Sequence, residues 1–300
     1  MIILATLALC LSIACPPALL INTSLLSQKF QQKCVQILPR NSQEQQSLSS
    51  LLCGEKITES ELQKNLQRTS LIHIFVISGS HLILLDELLG ILRIPLFVRF
   101  IVLGLYSLAV GWQAPAVRAL LGLFTRSFLQ HWRWSFPADL TVLITGLLTL
   151  ILFPAWWNSL SLVMSWCAAL ALCWPSLLRI RAPVVRVFLA QISIFLFMCA
   201  PLWGLGSLHP LSLVYNLILA PVVSYVLLPL AFLTALVPPL ASVFDQVMAF
   251  FKDMLSIVAE PIVITKGTLP RIEILWLWIL FWHVFMHFLR LRLWQGRDSR

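Results

Sequence analysis

The sequence predicts an all-α polytopic integral membrane protein of about ten transmembrane helices, one or more of them broken. Composition is the first reason: hydrophobic residues fill 59% of the 300 positions, only 11% are charged, and mean hydropathy is +0.90. That balance is too apolar for a soluble surface. The second reason is the recurrence of apolar runs near the roughly 20 residues that cross a bilayer as one helix. The third predicts the break. In RTSLIHIFVISGSHLILL, Arg68 to Leu85, the polar turn Ser78, Gly79, Ser80, His81 interrupts an otherwise apolar segment, and backbone or ionisable groups at membrane depth must face protein, water or substrate.

The candidate spans are 1–22, 71–92, 95–112, 113–130, 138–154, 156–174, 184–206, 211–236, 240–265 and 273–291. The first has no basic residue after Met1, and Ala14-Cys15 followed by Pro16-Pro17 makes a poor cleavage or lipidation site. Residues 1–22 are therefore expected to be an N-terminal membrane anchor. Residues 23–70 form a short external loop, 71–291 the polytopic domain, and 292–300 a basic cytoplasmic tail. Arg93, Arg99, Arg126, Arg133, Arg179, Arg181, Arg186, Arg290 and the tail arginines fall on one side when ten spans are threaded from an inside N-terminus. The positive-inside rule makes that side the cytoplasm. The external loop runs against the rule, with Lys29, Lys33, Arg40, Lys56, Lys64 and Arg68 outnumbering Glu44, Glu55, Glu59 and Glu61.

Seven cysteines show no C-x-x-C and no Cys/His cluster, so neither a metal nor another cofactor is expected. Five lie in apolar runs as small hydrophobes. Cys34 and Cys53 are the two in the polar loop, and they form either a disulfide, if the loop faces an oxidising periplasm, or two free thiols. Pro221 and Pro229, followed by Pro238-Pro239, remove backbone bonds and predict a kinked or discontinuous late helix. Asn216 is an amide suited to cross-linking helices. Asp86 and Glu87 point about 100° apart on a helix and suit a cytoplasmic interface near Arg93. Asp139, just after Pro137, suits the positive end of a helix dipole. Asp245 and Lys252 return to one helical face, as an internal pair or a pore stripe. The twelve tryptophans are expected mainly as interfacial anchors.

Several ordered blocks resemble one family. Leu51-Leu52-Cys53-Gly54-Glu55-Lys56, then Leu71-Ile72-His73 leading into Ile77-Ser78-Gly79-Ser80-His81, is similar to the L-L-x-G … G-L-x-H-x-x-x-I-S-G-x-H signature of the ComEC/Rec2 competence proteins. Gln113-Ala114-Pro115-Ala116-Val117-Arg118-Ala119 resembles the next block, a Pro-bearing turn with an Arg-Ala pair opening a helix. Asp139 through Pro154, and Pro210 to Asn216 with Ala220-Pro221 and Leu228-Pro229-Leu230, resemble later ones. The family's large members also carry an OB-type domain and a metallo-β-lactamase-like domain. No H-x-H-x-D-H motif occurs here, so the resemblance implies the membrane channel module without a nuclease, and the chain is expected not to be an enzyme.

That resemblance implies a multi-pass protein of the bacterial inner membrane that passes single-stranded DNA inward during natural competence. Such a path needs polar or cationic walls, because hydrocarbon cannot solvate phosphate. Candidates for the path are Ser78, Gly79, Ser80, His81, Arg118, Asn216 and Lys252, with helix breaks at Gly79, Pro115, Pro221 and Pro229. Implied partners are single-stranded DNA, membrane lipid, separate nuclease, DNA-receptor and helicase components, and further copies of the chain in a homo-oligomer. No Walker motif is present, so ATP-driven pulling would come from a partner. Two readings of other classes stay open: a small-solute transporter or exporter, and a non-enzymatic scaffold subunit of a DNA-uptake complex.

Overall fold

The computed structural model of the chain describes residues 18–69, 71, 79–178, 180, 182–203, 211–259 and 268–298. Residues 1–17, most of the expected anchor, lie outside that set. The described residues form α-helices joined by short turns, with no strand among them.

The segment expected as an external loop is helical: α1 is Ala18–Ile37, α2 Gln45–Cys53 and α3 Ser60–Arg68. Gly54 ends α2 in the left-handed region, φ 68°, with its N–H on the Ser49 carbonyl, a cap that suits glycine. Further along, α4 is Gly79–Ile91, α5 Leu96–Ala109, α6 Ala114–His131 and α7 Ala138–Leu152. Arg93 and Arg133 take left-handed φ values of 56° and 55° just beyond α4 and α6. At each, the next N–H reaches back five residues, Ile94 to Leu89 and Trp134 to Leu129, which closes the helix end as a Schellman turn.

The chain continues through α8 Leu160–Leu177, α9 Pro183–Leu202, α10 Ser212–Val222, α11 Leu228–Leu236, α12 Ala241–Ala259 and α13 Ile272–Asp298. Between α10 and α11 lies a π turn, Val223–Leu227, where the Leu228 N–H bonds the Val223 carbonyl. The helix predicted to break at Pro221 and Pro229 thus runs from Leu213 to Leu236 without interruption. The wider π turn absorbs the backbone mismatch that the two prolines introduce. Pro115 does not break a helix either; it sits in the first turn of α6, where a missing N–H loses no intrahelical bond.

By length and hydropathy, four helices among the described residues can cross a membrane: Leu160–Leu177, Pro183–Leu202, Leu213–Leu236 and Ile272–Leu293. Leu96–Ala109 and Ala138–Leu152 are shorter apolar helices. The protein is therefore a helical membrane protein, and among the described residues four of the ten expected windows hold such a helix. The 240–265 window is the clearest departure. Its helix α12 buries Phe244, Met248, Phe251 and Leu255, one stripe at helical spacing, against α2, α3 and the Leu213–Leu236 helix. The polar side chains beside that stripe have partners in residues 42–59, as described below.

Two compact units emerge. One comprises α1–α5, the start of α6 up to Leu123, and α10–α12; the other comprises the rest of α6 with α7–α9 and α13. The first has two apolar clusters, one of Leu48, Leu51, Leu62 and Leu66 with the α12 stripe, the other of Leu82, Leu103, Val110, Ala116 and Ala119 joining α4, α5 and α6. The second is built on aromatic rings from α8, α9 and α13.

Candidate functional site

Gly79, the first residue of α4, is where two of the sequence blocks meet. A Cβ at this position would lie 2.9 Å from the Ala119 Cβ and 3.5 Å from the Pro115 carbonyl of α6. The glycine is therefore needed for close helix approach, the small-residue contact that lets two backbones near each other, rather than for a special backbone angle. His81, two residues on, is buried at 1% exposure. Leu82 packs with Ala116 and Ala119 in the same cluster. Arg118 is half-buried on α6, flanked by the buried Val117 and Ala119. Ser78 lies outside the described residues, and so does the side chain of Ser80.

The remaining path candidates are elsewhere in the fold. Asn216 sits on α10 with its Oδ1 buried and without a hydrogen-bond donor among the described residues. Lys252 is committed: its ammonium bonds Glu44 Oε1 at 2.9 Å and Glu59 Oε2 at 2.6 Å. Burial works against that charge, but the hydrogen bonds and Coulombic pull of Glu44 and Glu59 outweigh it and hold the lysine above its ordinary value of 10.5. A lysine held by two carboxylates is a cross-link between α12 and the polar segment, not a phosphate ligand.

Asp245 does not pair with Lys252. Its carboxylate accepts from Ser42 Oγ at 2.5 Å, Gln43 N at 2.9 Å and Glu44 N at 3.2 Å, so it caps the N-terminal approach to α2, where the dipole favours an anion. Sequence reasoning missed this set because its members lie some 200 positions apart. The available signal was an acid and a lysine bordering the apolar stripe of α12, which require polar partners once that stripe is buried.

Cys34 of α1 and Cys53 of α2 are joined as a disulfide, with a Cα separation of 5.9 Å. Beside it, Gln31 Nε2 donates to the carbonyls of Cys53 at 2.9 Å and Gly54 at 3.2 Å. Asp86 pairs with Arg99, whose Nε donates at 2.9 Å, rather than with the nearer Arg93. Asp139, in the first turn of α7 as the dipole argument expects, is also ion-paired with Arg290 of α13. No group of three or more His, Cys, Asp or Glu among the described residues is arranged to hold a metal ion.

With this geometry in hand, the comparisons are informative. Residues 51–296 match the family described as Competence protein. No curated protein and no solved structure matches the chain.

Proposed function

The chain belongs to the competence protein family, and from that premise we propose that it is the inner-membrane channel through which single-stranded DNA enters during natural transformation. The observation that supports the reading is the Gly79 contact, in which the glycine of the I-S-G-x-H block, at the start of α4, lies against Pro115 and Ala119 of the P-A-V-R-A block opening α6. The two most specific family blocks thus form one packed element, with a buried histidine on one helix and a half-buried arginine on the other.

In this reading Arg118 supplies the positive charge that a passing phosphate requires. Coulomb attraction is far stronger in a narrow, partly desolvated passage than in water, and a guanidinium grips phosphate oxygens in bidentate fashion. Gly79 and His81 position α4 against α6. Lys252 serves the fold of the polar helices and is not assigned to the path. The disulfide-linked helices face the oxidising side of the membrane. Strand degradation and ATP-driven pulling belong to separate partner components.

Charge at Arg118 is the test. Uptake of labelled DNA, compared at equal membrane levels of protein, is expected to survive in part in Arg118→Lys and to fall at least about tenfold in Arg118→Gln, about 1.4 kcal/mol of barrier. Gly79→Leu, which overlaps Ala119, is expected to abolish uptake while leaving membrane insertion intact. Equal uptake by the two Arg118 variants at equal protein level would remove the arginine from the path.

A further inference from the structure

We propose that a glutamine-lined cleft on the disulfide-linked helices is a receptor for single-stranded nucleic acid, holding the strand before it enters the membrane. The inference rests on the DNA-channel reading and names where that channel first binds its substrate. The cleft, about 1070 Å³, is bounded by α1, α2 and the turns around Gly54 and Gly111. Six amides line it: Gln31, Gln32, Gln36, Gln45, Gln46 and Gln113. Each glutamine offers both a donor and an acceptor, so together they complement the heteroatom edges of any base rather than one sequence.

Two of the six are held in place. Gln31 is fixed by its bonds to the Cys53 and Gly54 carbonyls, and Gly111, at φ 91°, lies against its amide. Gln46 Nε2 is bonded to Thr58 Oγ1. The wall is therefore built before a ligand arrives, and a disulfide ties together the two helices, α1 and α2, that supply most of it.

Charge selects a polyanion over a neutral polymer. The segment 23–69 has four acids, Glu44, Glu55, Glu59 and Glu61. Lys252 holds Glu44 and Glu59, which leaves two exposed acids, Glu61 and the cleft-wall Glu55, the latter accepting from Ser49 Oγ at 2.5 Å. Lys29, Lys33, Arg40, Lys56 and Lys64 are exposed as well, five cations against those two acids. Lys56 belongs to the cleft wall. Lys29 and Lys33 stand at helical i, i+3 spacing to Gln32 and Gln36, which makes them surface neighbours on α1. A row of amides bordered by lysines matches a strand whose bases and phosphates run side by side. Among the described lining residues there is no aromatic ring, so stacking, the usual source of affinity in single-strand grooves, is replaced by amide and phosphate contacts.

The test is equilibrium binding by full-length protein in zwitterionic nanodiscs, read by fluorescence anisotropy of a labelled single-stranded oligodeoxynucleotide over a salt series. Each phosphate neutralised contributes a slope of about −0.7 in log K against log salt. The variant Lys29→Gln/Lys33→Gln/Lys56→Gln is expected to lose about 2 from the steepness of that slope and to bind at least about tenfold more weakly at low salt. The variant Gln32→Ala/Gln36→Ala/Gln45→Ala is expected to bind more weakly with the slope unchanged. Uptake by the Arg118 variants is scored apart from this binding, so receptor and path are tested separately. Wild-type binding retained by both cleft variants would overturn the receptor. So would a neutral N-acetylated oligosaccharide that binds the cleft without being displaced by the strand, and neither result would touch the Arg118 uptake test.

Discussion

Helices α1–α3 with α12, and helices α8, α9 and α13, solve the same packing problem with different chemistry. The first group combines a leucine and phenylalanine core with discrete polar ties: the Cys34–Cys53 disulfide, the Glu44–Lys252–Glu59 bridge and the Asp245 cap. The second relies on rings. Phe197 stacks on Trp282 with centroids 3.8 Å apart, Trp157 on Trp276 at 4.6 Å and Trp174 on Phe285 at 5.4 Å. Its polar ties come largely from indole N–H groups: Trp166 donates to His283 Nε2 at 2.9 Å, Trp276 to the Trp157 carbonyl at 3.0 Å and Trp278 to the Phe197 carbonyl at 2.9 Å. Helices that face water gain by burying leucine. Helices that face lipid gain little from that exchange, so close packing and interhelical hydrogen bonds must hold them together. These tryptophans are structural members of the bundle, not only the interfacial anchors the sequence suggested.

The contrast can be broken at either end. The largest expected effect is in the polar group, where Cys34→Ser opens a link between residues 19 apart in sequence. Loop-closure entropy puts the loss at about 3 kcal/mol, to be read as earlier thermal unfolding and faster proteolysis of residues 23–69. Maleimide labelling of the wild-type pair in intact cells is expected only after reduction. Next comes the aromatic group. A Cβ on Gly146 would fall 2.3 Å from the Trp166 ring, so Gly146→Ala must push the indole away from His283. An overpacking loss of about 2 kcal/mol is expected, with a shift in tryptophan emission; a neutral result would mean that the rings are loosely packed.

Lys252→Met leaves Glu44 and Glu59 without their cation. Because the Glu59 side chain is 40% exposed, solvent screening limits the loss to about 1–2 kcal/mol. The sign with pH is fixed by the raised lysine: its contribution is complete below the unfolded value of 10.5 and fades as pH rises through the higher folded value. Unfolding temperatures of wild type and variant should therefore converge in strong alkali. The smallest effect is expected at Arg133, whose φ of 55° favours glycine. Arg133→Gly should stabilise by no more than about 1 kcal/mol, measured by the same unfolding curves.

What the sequence made legible follows the range of the interactions. The helical class and apolar spans rest on composition and periodicity, and the Cys34–Cys53 pair stood out because these are the two cysteines of a polar segment. Asp139 at the start of α7 was likewise visible from Pro137 beside it. By contrast, Arg290 as the partner of Asp139, Asp245 as a cap for α2, and Lys252 as a bridge between two glutamates depend on tertiary contacts that spacing cannot reveal. Residues 23–69 read as a loop because their polarity hid most of α1 and the two short helices α2 and α3, whose apolar faces are completed by α12. The close approach of Ala119 to Gly79 is likewise a tertiary contact that the local sequence could not reveal.

The π turn at Val223–Leu227 also preserves the helix's angular phase. A π turn holds one residue more than an α-helical ladder would need for the same rotation. Deleting a single residue there lets the ladder close as ordinary α-helix while both flanks keep their facing, so Leu228 and Ala231, now inside the core, would stay there. The surplus residue thus works as a spacer, letting one continuous rod keep its apolar side aimed at the core across an extra position in the sequence.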